Sequence, residues 1–144
     1  MLFYLFIVTL GGVALAVQAP LNAALAKSIG SPVGAAATSF AGGFLILTVL
    51  TLASAGTGPI AALGKVPVWQ LLGGALGAFY VWAVVTAVPS LGVVTAIAAL
   101  ILGQVVTALI LDATGAFGLM VREINGQRLI AIALVAAGLV LSRA

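Results

Sequence analysis

The side chains of this chain that can do chemistry are few enough to name. With no Cys and no His among 144 residues, disulfides, thiolate chemistry, haem ligation and the usual zinc sites are all removed. Two carboxylates, Asp112 and Glu123, remain for acid/base or metal work. That is too few for a catalytic or metal centre, so the expectation is a non-enzyme with no cofactor and no metal. What is left is hydrogen bonding, carried by Gln18, Asn22 and Gln104, with Ser39, Tyr80 and Trp82 beside them.

On a helix Gln18 and Asn22 stand i, i+4, so both amides project from one face, with Pro20 between them. Proline also frees a carbonyl one turn earlier, near Ala16. In hydrocarbon each of these groups needs a partner. Two readings stand: a polar substrate-binding surface, or interhelical packing worth about 0.6–2 kcal/mol per amide. Gln104, next to Gly103 with Thr107 nearby, is the amide expected to meet Gln18 across an interface, and it is open to the same two readings. Ser39 is carried with the substrate-binding residues, although its hydroxyl, like that of Thr38, can bond its own helix backbone.

Tyr80 and Trp82 lie deep in an apolar run, where aromatics either wall a pocket or simply pack. Trp69, at a run end, reads as an interfacial anchor. Asp112 is the one carboxylate near an apolar run, and it is either a coupling residue for a proton or sodium ion or a boundary residue that stops a helix. Glu123 beside Arg122 reads as a loop ion pair.

The elements that must position these residues follow from composition. Hydrophobic residues make up 65% of the chain and charged ones 5%, against roughly 25% charged in a soluble domain, and mean hydropathy is +1.42. So much apolar surface needs lipid as its solvent. Runs of about 18 or more apolar residues, bounded by charges, Gly and Pro, predict one all-α transmembrane domain over 1–144 with five spans, at 2–26, 33–53, 68–88, 93–111 and 128–141. The first run could pass for a signal peptide, but it has no basic leader and stays apolar beyond Pro20, so it is read as a membrane helix.

Pro89-Ser90-Leu91-Gly92 is expected as a tight connection, and 113–126 as a surface loop or a short interfacial helix. Gly11-Gly12, Gly42-Gly43 and Gly73 with Gly77 are expected to pack helices closely. The net charge of +3 is scattered over Lys27, Lys65, Arg122, Arg128 and Arg143. Scattered cations at helix ends are headgroup anchors, so no nucleic-acid partner is expected.

Alternating loops put Lys65, Arg122 and Arg128 on one face of the membrane and Lys27 and Arg143 on the other. That difference scarcely chooses an orientation, and dual topology follows naturally from it. With an odd number of spans, a second copy can enter inverted, which is the repeat plan of many secondary transporters.

The segment Leu10-Gly11-Gly12-Val13-Ala14-Leu15-Ala16-Val17-Gln18 resembles the opening helix of small multidrug resistance transporters. Pro89-Ser90-Leu91-Gly92, Gly126-Gln127-Arg128-Leu129 and Ala137-Gly138-Leu139-Val140 resemble the end of drug/metabolite transporter (EamA/DMT-like) repeats. Gln18-Ala19-Pro20-Leu21-Asn22, Ser39-Phe40-Ala41-Gly42, Gly73 to Tyr80, Leu102-Gly103-Gln104, and Asp112 with Gly115 resemble more closely the five-span YdcZ, or DUF606, family of that superfamily.

The resemblance implies a bacterial inner-membrane transporter half working by alternating access. Its partners would be the lipid bilayer, an antiparallel homodimer or a paralogous heterodimer, and a small-molecule substrate. Where the multidrug exporters keep a first-helix glutamate, this chain has Val17 and Gln18. An amide cannot bind and release a proton near neutral pH, so the expected substrate is a small polar or amphipathic metabolite, neutral or zwitterionic. The alternative is a non-transporting membrane subunit that assembles with a paralogous partner.

Overall fold

Apolar runs of this length in a chain almost free of charge form helices, because a helix satisfies every interior backbone group within itself. The structure, a computed structural model, describes residues 1–143. Among the described residues it is all helical: α1 (Leu2–Ile29), α2 (Pro32–Ala55), the short α3 (Gly58–Ala62), α4 (Leu72–Leu91), α5 (Val93–Thr114) and α6 (Gly126–Leu141). A 3₁₀ turn over Val68–Leu71 leads directly into α4.

Four stretches are long and apolar enough to cross a bilayer: Leu2–Ile29, Pro32–Ala55, Val68–Leu91 and Val93–Thr114. The expected fifth is a shorter apolar helix, the 16 residues of α6. At about 1.5 Å per residue it is about 24 Å long, less than the roughly 30 Å of a hydrocarbon core.

Two boundaries differ from expectation. Asp112 does not stop its helix, which continues to Thr114. Pro89 does not open a loop either, because α4 runs through it to Leu91 and Gly92 alone makes the turn. Proline removes one donor and displaces one carbonyl but leaves the following residues free to stay helical. Gly92 has φ 76° and ψ 164°, a conformation essentially confined to glycine. Of the 113–126 segment, 113–114 complete α5, Gly126 opens α6, and 115–125 form a loop with one 3₁₀ turn, Ala116–Gly118.

The chain divides into two compact units, Met1–Ser90 and the residues from Leu91 onward. In the first unit α1 and α2 form a hairpin. Gly30 closes α1 in the left-handed conformation, its N–H and that of Ser31 both reach the Ala26 carbonyl, and Ser31 Oγ accepts from the Gly34 N–H at 3.0 Å to start α2. Two helix ends are thereby satisfied within three residues, and Pro32 fits at the first helical position because its missing N–H is not needed there.

The core of this unit is built from small residues. Ala19, Asn22 and Ala26 form the buried stripe of α1, with Ala35 and Ala36 on α2 and Val81, Val84, Val85 and Val88 on α4. Spacings of three and four keep each set on one helical face. Large apolar side chains point outward instead, such as Phe44, Leu45 and Leu47 on α2, each more than 60% exposed.

The second unit is the α5–α6 hairpin. Thr95 near the start of α5 donates to the Ser142 carbonyl at 3.0 Å, while the Ser142 hydroxyl turns back to the Leu139 carbonyl at 2.7 Å. Asp112 and Arg128 form an ion pair at the other end, 3.1 Å apart.

Candidate functional site

Asn22 lies on the stripe of α1 that small residues bring against α2, and it is one of the two polar side chains among the described residues that are buried. Gln18, one turn earlier, follows the same face. Opposite them α2 presents Ala35, Ala36 and, one turn on, Ser39. Both amides converge on that hydroxyl: Gln18 Nε2 and Asn22 Nδ2 each donate to Ser39 Oγ at 3.3 Å.

Thr38, the adjacent residue, behaves as expected and bonds the Gly34 carbonyl of its own helix at 2.9 Å. Ser39 does not, because its position faces α1 and a better offer stands there. The signal was present in the sequence as Ala35, Ala36 and Ser39, a small-residue face one turn long.

The hydrogen-bond inventory of this trio does not close. A hydroxyl has one donor and two acceptor sites, and each primary amide has two N–H donors and a carbonyl. The hydroxyl's two acceptor sites are filled by one N–H from each amide, and neither amide carbonyl accepts a bond within the trio. Unused N–H groups remain as well. Such groups need a partner in a bilayer, and a small cavity lies beside them. It has a volume of about 10 Å³ and is lined by Gln18, Asn22, Tyr80, Leu15, Val81 and Val84 among others, room for about one water-sized group.

Tyr80 is thus brought to the amides, half-buried against the core of the same unit. Trp82 is not. It turns to the exposed side of α4, where its ring lies 5.9 Å from that of Phe79. Gln104 belongs to the second unit and is exposed on α5, on a shallow apolar face shared with Gly103, Thr107 and Ala99.

Asp112 is held by Arg128, whereas the ion pair expected of Arg122 and Glu123 does not form among the described residues. The partner that sequence reading missed, Arg128, opens the helix that runs back alongside α5. An acid near the end of one helix and a base near the start of its antiparallel neighbour are adjacent in space although 16 positions apart. Of the glycines expected to pack helices, Gly77 does so against the Phe40 ring, while a Cβ at Gly11, Gly12, Gly42, Gly43 or Gly73 would meet no other element among the described residues within 4 Å.

Helices of this length and apolarity, with an uncharged polar cluster inside one of their packed faces, define an integral membrane protein. The particular kind comes from comparison with known families. Residues 3–141 match the family model described as "Putative inner membrane exporter, YdcZ", and the chain belongs to that family. It is accordingly a membrane transporter of the inner membrane. Searches of curated proteins and of solved structures each returned no match.

Proposed function

We propose that this chain exports a small, net uncharged polar metabolite by alternating access, working as an antiparallel dimer whose substrate site is centred on Gln18, Asn22 and Ser39. The observation that carries this reading is the convergence of two amides on one hydroxyl, with hydrogen-bonding capacity to spare, beside a cavity. Tyr80 forms one wall of the site. Gln104, exposed on α5, is the amide that the second copy contributes. Trp82 takes part only when α4 presents its outer face.

The charge of the substrate follows from what surrounds the trio. The first unit contains no carboxylate, and Asp112, the acid nearest to any span, already has its charge matched by Arg128. A permeant ion at the trio would therefore lack a counter-charge in low dielectric, where an unpaired charge is costly. Amide, hydroxyl or zwitterionic substrates carry no such penalty, and Asp112 is left as the residue through which any ion coupling would act.

The dimer has separate support. Gly11, Gly12, Gly42, Gly43, Gly73 and Gly74 stand open on the long helices of the first unit, and small residues are what allow helices to approach in lipid. The same faces would serve a non-transporting subunit, so the deciding experiment uses purified protein alone in liposomes. Saturable counterflow of a radiolabelled polar metabolite, lost on Gln18→Ala or Asn22→Ala while cross-linked dimer persists, is the expected result. Saturable transport unchanged by both substitutions would remove the site, and no transport by the protein alone would favour the subunit reading.

A further inference from the structure

The Asp112–Arg128 pair has much more hydrogen-bonding capacity than it uses. A guanidinium carries five N–H donors and a carboxylate about four lone-pair sites, yet one contact of 3.1 Å joins them. Among the described residues neither side chain makes a further hydrogen bond, and both remain partly open, at 28% and 36% relative exposure. The pair closes one end of an apolar groove of about 230 Å³ between α5 and α6, whose walls are Val105, Leu109, Ile132 and Val135, with the small Ala108 and Ala131 between them. One end of the groove thus offers a positive and a negative group side by side, and the rest offers only hydrocarbon.

We infer that this groove binds a zwitterionic phospholipid whose headgroup carries a primary ammonium. The phosphate takes the free N–H donors of Arg128, the ammonium donates to the free oxygen of Asp112, and an acyl chain lies along the groove. Charge complementarity selects this ligand, because an anionic headgroup would add a net negative charge beside an ion pair that is already neutral, and a quaternary ammonium has no N–H to donate.

Helix length points the same way. At about 24 Å, α6 is shorter than the hydrocarbon core, so its ends draw headgroups inward or leave polar groups in the acyl layer. Arg128 is the third residue of α6, at such an end. The site is held in place by the loop that follows α5, since the Arg122 N–H donates to the Asp112 carbonyl at 2.8 Å and the left-handed Gly115 lies close under Val121.

The test is native mass spectrometry of the detergent-purified full chain, titrated with phosphatidylethanolamine, phosphatidylcholine and phosphatidylglycerol of identical acyl chains. Phosphatidylethanolamine should bind about tenfold more tightly than either of the others, the worth of roughly one charge-assisted hydrogen bond. Asp112→Asn should abolish that preference. Ala131→Trp, which fills the groove and leaves the ion pair intact, should weaken all three lipids together. Equal affinity for the three lipids, a preference that survives Asp112→Asn, or binding unchanged by Ala131→Trp would overturn the proposal. Should Asp112→Asn fail to fold, the lipid comparison on the unmodified chain and on Ala131→Trp still decides it.

Discussion

At the residue scale the decisive group is a hydroxyl. Ser39 Oγ is the shared acceptor of two amides, so Ser39→Ala strands both donors, whereas Gln18→Ala or Asn22→Ala strands one site on Ser39. Membrane-interior hydrogen bonds are worth about 0.6–2 kcal/mol each, and any of the three replacements is expected to lower stability by that order while abolishing transport. Thermal unfolding in detergent alongside liposome flux checks this. Ser39→Thr, which keeps the hydroxyl, should retain more transport than Ser39→Ala. Equal loss in the two variants would mean that the position matters through its size and not its hydrogen bonds. Gly92 offers a second residue-scale prediction. Its backbone conformation is one that side-chain-bearing residues enter at a cost of about 1–3 kcal/mol, so Gly92→Ala should destabilise the chain by that amount although, its chain neighbours aside, nothing in the described chain crowds the added methyl.

At the scale of elements the question is what holds helices together when lipid supplies no hydrophobic drive. The α1–α2 pair answers with a two-residue turn, Gly30 and Ser31, that caps both helices, a face of alanines and the amide–hydroxyl cluster. The α5–α6 pair uses polar clasps at both ends instead, Thr95 with Ser142 and Asp112 with Arg128. The ion pair is partly exposed, and such pairs contribute about 0–1 kcal/mol. A double-mutant cycle of Asp112→Asn and Arg128→Gln should therefore give a coupling energy below about 1 kcal/mol. A much larger value would mark the pair as the main clamp of this hairpin. At the start of α6, Asn125 Oδ1 accepts from the Arg128 N–H at 3.0 Å, and Asn125→Ala should cost about 1 kcal/mol through the lost cap.

For the whole molecule, exposed glycines and large apolar side chains describe surfaces meant for lipid and for other helices. If the antiparallel dimer is the working form, single cysteines at Ser28→Cys, in the last turn of α1, and Gly64→Cys, in the connection between α3 and α4, will be labelled from both sides of the membrane. Labelling of each from one side only would exclude inverted copies. Gly42→Leu should reduce cross-linked dimer while leaving the monomer's thermal transition in place, because nothing in the described chain occupies the space beside Gly42.

Hydropathy determined by itself that the chain lives in a membrane, that it is helical, and where its long helices start and stop to within about three residues, because the length of an apolar run is a local property. The i, i+4 placement of Gln18 and Asn22 around Pro20 was equally legible, as was the absence of any acid beside them. Tertiary structure alone decided which hydroxyl those amides meet, that Arg128 and not a loop neighbour pairs with Asp112, and that Trp82 turns away from the amides while Tyr80 lines their cavity. Each of these depends on the rotation of one helix against another. That rotation is set by where alanine, glycine and serine let two backbones approach, a sum of many weak contacts that no single stretch of sequence displays.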